Sequence, residues 1–277
     1  MDEKEKQMKI GIIGYGSMGK MLLWKFSKQG SVGKQDLYAF NRTIEKLDEA
    51  KEIAQIVSAK ELASICDIIF VCVRPVDIKT VLEEIKPTIK ENAILVSLNG
   101  SVSFETIRMM LDCKTAKVIP SLTAEIGRSQ TLVCFNEKVS DADKCALKEI
   151  LSSIGDVIEL PENEIGMGSE LVSCMPGFIA SIFDVICCSA KKHTSIPDDQ
   201  IARMVLQTLS ATSDLMLQKN MNFEEVVKRV ATPGGITEEG TKVVYEGFPE
   251  TADLLFKKTL EKRRQTAAKC EVKNDKR

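Results

Sequence analysis

The chain has 277 residues, 44% of them hydrophobic and 28% charged, with 38 basic against 40 acidic side chains and a formal net charge of -2. Such a composition belongs to an ordinary globular chain long enough for two cores, which excludes a disordered or fibrous protein. The near-even balance supplies no field that would draw nucleic acid or an anionic membrane across the surface, so a small-molecule ligand is expected.

The opening Met-Asp-Glu-Lys-Glu-Lys-Gln is a charged leader without the apolar run of a signal peptide. No stretch of about 18 uninterrupted apolar residues follows it, and no membrane contact is expected. The nine cysteines form no Cys-x-x-Cys pair, and one histidine, His193, is too few to complete a metal set. No metal is expected. Apolar neighbours around the thiols suggest small buried groups in a reducing, cytoplasmic compartment. The basic cluster from Lys257 to Arg277 reads as a solvated face rather than an interaction tail.

In chain order, β-branched runs at Met8–Ile13, Leu37–Phe40, Ile68–Val73, Ile94–Leu98 and Lys117–Ile119 predict strands. Shorter runs at Ile56-Val57, Leu132–Phe135 and Val157–Leu160 predict strands nearer an edge. Helical spacing marks Ser17–Gln29, Val76–Ile89, Phe104–Leu111 and Asp141–Ile154. This alternation predicts βαβ units, hence an α/β fold with a Rossmann-type, mostly parallel sheet. After Pro161 the alternation stops. Long helices are predicted at Glu164–Ala190, Asp198–Lys219, Phe223–Val230 and Phe248–Lys269, with Pro197 placed to start the second of them. The expected division is therefore a nucleotide-binding domain over 1–161 and an all-helical domain over 162–277.

The sharpest motif is Gly14-Tyr15-Gly16-Ser17-Met18-Gly19, placed directly between a strand and a helix. Gly14 would permit the tight turn, Gly16 the approach of a pyrophosphate, and Gly19 close packing of helix on strand, with the phosphates at the helix N-terminus. The alternative is a glycine-rich turn without a ligand. The second strand ends Phe40-Asn41-Arg42-Thr43, with no carboxylate for ribose hydroxyls. Arg42 can pair with a 2′-phosphate and Asn41 and Thr43 can donate to it, favouring NADPH while leaving NADH possible. Against this stands a solvent-facing Arg42 that merely opens the next helix.

Val73-Arg74-Pro75 leaves a further strand end toward the cofactor crevice, although Pro75 also serves simply to stop the strand. In the helical half, Thr232-Pro233-Gly234-Gly235-Ile236-Thr237 forms a loop between two helical segments. Its adjacent glycines can aim backbone N–H groups at a carboxylate, with the Thr232 and Thr237 hydroxyls beside it. The competing reading is a helix-capping turn with Thr237 as N-cap. His193, in a polar Lys-Lys-His-Thr-Ser stretch, reads as a surface residue rather than an acid.

Taken together, these motifs and their order resemble the pyrroline-5-carboxylate reductase family over almost the whole chain. They are Gly14 to Gly19, Asn41-Arg42, Val73-Arg74-Pro75, Val118-Ile119-Pro120, Pro176-Gly177-Phe178 and Thr232 to Thr237. The resemblance implies NAD(P)H-dependent reduction of a cyclic imine carboxylate to proline, in a homodimer or higher homo-oligomer whose helical domains interlock. It places Thr237 near the ring nitrogen as the catalytic residue and the Gly234 and Gly235 amides on the carboxylate. Pro120 and Ser121 then flank the nicotinamide and substrate.

The chain departs from the family pattern at Pro120-Ser121-Leu122-Thr123 and at Val172-Ser173-Cys174-Met175-Pro176-Gly177-Phe178. Two alternatives follow from those departures: reduction of a related cyclic imine, or a non-catalytic paralogue that keeps the nucleotide fold for regulation.

Overall fold

A computed structural model describes residues 8–28 and 32–270. The charged leader, Gln29 at the end of the first predicted helix and the basic residues beyond 270 lie outside the described residues.

The first half alternates as expected. Among the described residues an eight-stranded sheet runs in the order β3-β2-β1-β4-β5-β6-β7-β8. Its strands are β1 (Ile10–Ile13), β2 (Leu37–Phe40), β3 (Gln55–Ile56), β4 (Ile68–Val71), β5 (Ile94–Ser97), β6 (Lys114–Ile119), β7 (Ser129–Phe135) and β8 (Gly155–Glu159). All neighbours are parallel except β6 and β7, which run antiparallel. Strands β1, β4 and β5 are buried along their whole length, as in sheets covered by helices on both faces.

One face packs Ile10, Ile12, Leu22, Phe26, Phe70 and Val118 into a core. The other packs Ile13, Leu62, Ile69, Leu82, Leu95 and Ile107. The covering helices are α1 (Ser17–Lys28), α2 (Ala59–Ile65), α3 (Ile78–Ile85), α4 (Phe104–Met110) and α5 (Asp141–Ser152).

Several elements differ from the pattern reading, each for a local reason. Strand β6 begins at Lys114, ahead of the expected Lys117, because its lysines are paired rather than solvated. Lys114 meets Asp143 at 2.8 Å, and the buried Lys117 pairs with Glu162 and lies over the Phe104 ring at 4.8 Å. Helix α3 is shorter than the predicted 76–89, since Pro75 opens a 3-10 turn (Pro75–Asp77) before it. Helix α2 was not foreseen; Ser58 caps it by accepting from the Glu61 N–H at 3.2 Å.

The remaining chain is helical: α6 (Ile165–Ser169), a π-helical segment (Glu170–Cys174), α7 (Met175–Ala190), α8 (Asp198–Lys219), α9 (Phe223–Val230), α10 (Ile236–Gly247) and α11 (Pro249–Cys270). Helix α10 is an addition to the predicted set, which its glycines and charges hid. By length and composition alone, the continuous helical run Glu162–His193 is apolar enough to cross a membrane. Glu170, Ser173 and Asp184 interrupt the apolar run, so no uninterrupted stretch marks it in the sequence.

By packing, the described residues make two compact units, one of those up to 176 together with those from 260 onward, the other of residues 177–259. The change from alternating to helical pattern falls at Pro161, whereas the packing boundary falls at Pro176. The cause is visible in the first unit. Ile165 packs with Ile119 and Leu132, and the end of α11 is tied in by Arg263, which donates to Glu170 Oε1 from Nη2 at 2.8 Å and from Nε at 3.3 Å. Glu170 is 1% exposed, and its second oxygen has no hydrogen-bond partner. The second unit is all-helical and leaves large apolar side chains in solvent, among them Val185, Leu206, Leu217 and Phe223.

Candidate cofactor and substrate site

In a doubly wound sheet the ligand crevice opens at the carboxyl ends of the strands where the order reverses, here between β1 and β4. A cavity of about 370 Å³ lies there, lined by the ends of β1, β2 and β4 and the segments that leave them. Gly14 and Gly16 line it, and Gly19 is buried behind them in the first turn of α1. Gly14 turns at φ +101°, and a Cβ there would stand 2.9 Å from the Cys72 carbonyl oxygen. At Gly16 a Cβ would meet nothing within 4 Å, so the backbone is open to an incoming ligand. At Gly19 a Cβ would fall 1.9 Å from the Gly14 carbonyl oxygen, so only glycine lets α1 pack this close. Helix α1 carries no acidic residue in its first turn, leaving its positive end free for phosphate.

The second wall comes from β2. The Gly14 N–H donates to the Phe40 carbonyl at 2.8 Å. The Tyr15 N–H donates to Asn41 Oδ1 at 2.9 Å, while Asn41 Nδ2 donates to the Thr43 carbonyl at 2.8 Å. Asn41 thereby latches the glycine turn to the β2 end. Arg42, Thr43 and Lys46 line the cavity beyond it, giving two cations at the place where a 2′-phosphate would sit. Lys46 was missed in the sequence; its signal is a lysine four residues after Arg42, on the 3-10 turn (Ile44–Glu52) that follows β2.

Val73 and Arg74 form the opposite wall with Asp77, Thr80, Val81 and Glu84. Buried Asn99 donates to the Val73 carbonyl at 3.1 Å, fixing that wall from below. Arg74 donates from Nε to Asp77 Oδ2 at 2.9 Å, and the Asp77 hydrogen bond raises the guanidinium pKa above its ordinary value. Cys72 also lines the cavity, but burial pushes its thiol upward and keeps it protonated. It is no nucleophile.

Not every expected residue faces this crevice. Ser17 is exposed, Met18 packs against the core and Pro75 starts its 3-10 turn, all outside the cavity lining. The Tyr15 ring is turned inward: its hydroxyl accepts from Trp24 Nε1 at 3.0 Å and donates to Glu49 at 3.4 Å, and burial raises its pKa. Tyr15 nonetheless lines the cavity and serves the turn through its backbone N–H. Pro120 and Ser121 are buried. The Ser121 N–H donates to Ser129 Oγ at 3.0 Å, and its hydroxyl caps the next turn by accepting from the Thr123 N–H at 3.4 Å.

In the second unit, Gly234 turns at φ +75° and Gly235 is the N-cap of α10. The capping-turn reading with Thr237 as N-cap is corrected: Thr237 sits exposed inside the first turn of α10. The Gly235 N–H donates to the Thr232 carbonyl at 2.9 Å. A Cβ on Gly235 would lie 2.6 Å from Thr232 Oγ1, so the glycine is required for the loop to close. The Gly234 N–H donates to Glu238 Oε2 at 2.8 Å. His193 is exposed.

Comparison with known proteins adds the family. Residues 162–266 match the family model described as pyrroline-5-carboxylate reductase dimerisation, and residues 9–100 match that of NADP oxidoreductase, coenzyme F420-dependent. Pyrroline-5-carboxylate reductase 3 of Bacillus subtilis is 33% identical over 91% of this chain and 94% of its own length. ComE operon protein 4 of the same organism is 28% identical over the same shares. The fold matches the crystal structure of Plasmodium falciparum pyrroline carboxylate reductase with NADP bound. That match has a TM-score of 0.85 at 22% identity and covers 95% of this chain and 99% of the other.

Proposed function

The chain belongs to the pyrroline-5-carboxylate reductase family, and on that premise we propose that it reduces 1-pyrroline-5-carboxylate to L-proline with NADPH. The observation that carries the cofactor choice is the crevice itself: an open Gly16 backbone at the positive end of α1, and Arg42 with Lys46 beside a strand end that lacks a carboxylate. These residues fit a dinucleotide phosphate. Gly14, Gly16 and the α1 amides would hold the pyrophosphate, Arg42, Thr43 and Lys46 the 2′-phosphate, and Val73 with Arg74 the remaining wall. When bound, the reduced nicotinamide supplies the hydride that saturates the C=N carbon.

The chain's part is alignment and hydrogen bonding. The Gly234 and Gly235 segment with Thr232 takes the substrate carboxylate, and the exposed Thr237 hydroxyl donates at the ring nitrogen. No covalent group is needed, in keeping with thiols that burial holds neutral: Cys66 is pushed up to about 12 and Cys134 to about 11. Both are free and buried, which fits a cytoplasmic setting.

The functional division follows the pattern change, with 1–161 serving the nucleotide and 162–277 serving substrate and assembly. The apolar run Glu162–His193 lies inside the dimerisation match, which favours a second copy of the chain over lipid as its cover. The test is NADPH oxidation by the purified protein with pyrroline-5-carboxylate, with proline identified as product. Thr237→Ala should lower kcat by roughly 10- to 100-fold, the scale of a lost hydrogen bond to a developing charge, with the KM for NADPH unchanged. Absence of turnover in the parent protein would sink the reading.

A further inference from the structure

The loop assigned to the substrate carboxylate already holds a carboxylate, and it is the chain's own. Glu238 lies in the first turn of α10 and folds back so that Oε2 accepts the Gly234 N–H at 2.8 Å. An acidic residue three places into a helix ordinarily reaches the N-cap amide. Here the N-cap amide of Gly235 is spent on the Thr232 carbonyl, and Glu238 reaches one residue further out, to the glycine at φ +75°. Gly234 is exposed, and a Cβ placed on it would meet nothing within 4 Å, so the loop stands open to solvent on that side.

Glu238 also has a second place to go. Lys242, one turn along α10, has its Nζ 3.9 Å from Glu238 Oε2, and holds Glu239 at 2.8 Å. A small rotation that surrenders the Gly234 amide brings Glu238 fully onto Lys242. Two carboxylates cannot share one N–H donor without like-charge repulsion. A ligand carboxylate must therefore displace Glu238 before it gains the loop.

We propose that Glu238 is a specificity-determining residue that competes with the substrate carboxylate for the Gly234 amide and sets how tightly carboxylate ligands bind. This rests on the reading that the 232–237 loop takes the substrate carboxylate. The physical consequence is a lowered apparent affinity, because only the fraction of molecules with Glu238 displaced can bind. It also admits only ligands whose carboxylate outbids an internal one, which discriminates against uncharged imines.

The experiment compares the full-length parent with Glu238→Ala, Glu238→Gln and, as a control, Glu246→Gln, which removes an exposed carboxylate near the far end of the same helix. Thermal unfolding is recorded for each, so that a loss of helix capping is seen separately. Two readouts are taken: the KM for pyrroline-5-carboxylate against that for NADPH, and the Kd for L-proline by calorimetry, which needs no turnover. With Glu238→Ala the imine KM and the proline Kd should both fall, by roughly three- to tenfold, with the NADPH KM unmoved. Glu238→Gln should fall between parent and Ala, because the amide still accepts the hydrogen bond without the charge.

Unchanged or weakened proline binding in a folded Glu238→Ala variant overturns the proposal, and so does an equal gain in Glu246→Gln. Should the parent turn over no imine, the functional reading fails by itself. Tightened proline binding in Glu238→Ala would then still uphold the competition at Gly234, and unchanged binding would end it.

Discussion

The Tyr15 N–H and the Asn41 side chain meet at 2.9 Å, and this hydrogen bond joins the glycine turn after β1 to the end of β2. The same side chain reaches on to the Thr43 carbonyl, so one residue fixes both the pyrophosphate floor and the loop that carries Arg42. Asn41→Ala should thus raise the KM for NADPH and NADH together, by roughly tenfold each, since it removes two hydrogen bonds from a preformed site. Steady-state kinetics with both cofactors would show it; a loss confined to NADPH would mean that Asn41 contacts the 2′-phosphate instead.

Arg42 and Lys46 make the opposite prediction. Both are exposed and line the same cavity wall, and a charge-assisted bond to a phosphate dianion contributes about 1.5–3 kcal/mol. Arg42→Ala should weaken NADPH by roughly 10- to 100-fold while NADH changes little, and the double variant with Lys46→Ala should lose more. Fluorescence titration of each cofactor measures this directly. Equal losses for both would assign the pair to a part common to the two cofactors, and no loss for either would leave it on the surface.

The glycines separate folding from binding. Gly16→Ala puts its methyl into open space, so the thermal midpoint should stay near the parent's while cofactor affinity drops, the methyl occupying the pyrophosphate's approach. Gly19→Ala forces a methyl against the Gly14 carbonyl oxygen, 1.9 Å away in the unrelaxed backbone. It should destabilise the nucleotide unit by about 1–3 kcal/mol as an overpacking change. Thermal unfolding with and without NADPH distinguishes the two.

How far the residues alone foretold this can be read from particular elements. The runs that became β1, β2, β4 and β5 are almost wholly apolar because the sheet is covered on both faces, and that pattern is visible without a structure. The Gly14 to Gly19 turn was equally legible, since Gly14 and Gly19 each answer to a steric demand of the fold and Gly16 leaves its backbone open. What stayed hidden were features whose meaning depends on partners distant in sequence. The lysines of β6 find their partners only in the fold, where Asp143 and Glu162 lie beside them. Asn99, Lys46 and Glu238 carry no motif, and each gains its role from a carbonyl, a cavity or an amide supplied by another element. Pro120 and Ser121 were drawn to the substrate by a motif match, and the fold adds a structural duty that the motif did not show, burial and a turn cap.

Glu170 and Arg263 give a stability prediction of the same long-range kind, being 93 residues apart in sequence and 2.8 Å apart in space. Glu170 is buried with one oxygen already unpaired. Arg263→Ala would strand the whole charge, at a cost of about 3–5 kcal/mol. Arg263→Leu combined with Glu170→Leu removes both charges and should recover most of that loss. A denaturant double-mutant cycle measures the coupling, and a negligible loss in Arg263→Ala would show the pair to be solvent-screened.

The last prediction concerns the apolar surface of the second unit. Val185 is 67% exposed, Leu206 62% and Leu217 75%, and burying such side chains stabilises by about 1.5–3 kcal/mol each. Monomeric proteins seldom leave so many in water. A second copy should therefore cover them, and sedimentation should give a mass of at least two chains. Val185→Asp, on the helical run that the dimerisation match includes, places a charge in that contact. It should shift the mass toward one chain at micromolar concentration and lower turnover with it, if the partner completes the substrate site. A dimer that survives the aspartate would move the interface to another face of the helices. A monomer that keeps full activity would show that each chain holds its own complete site.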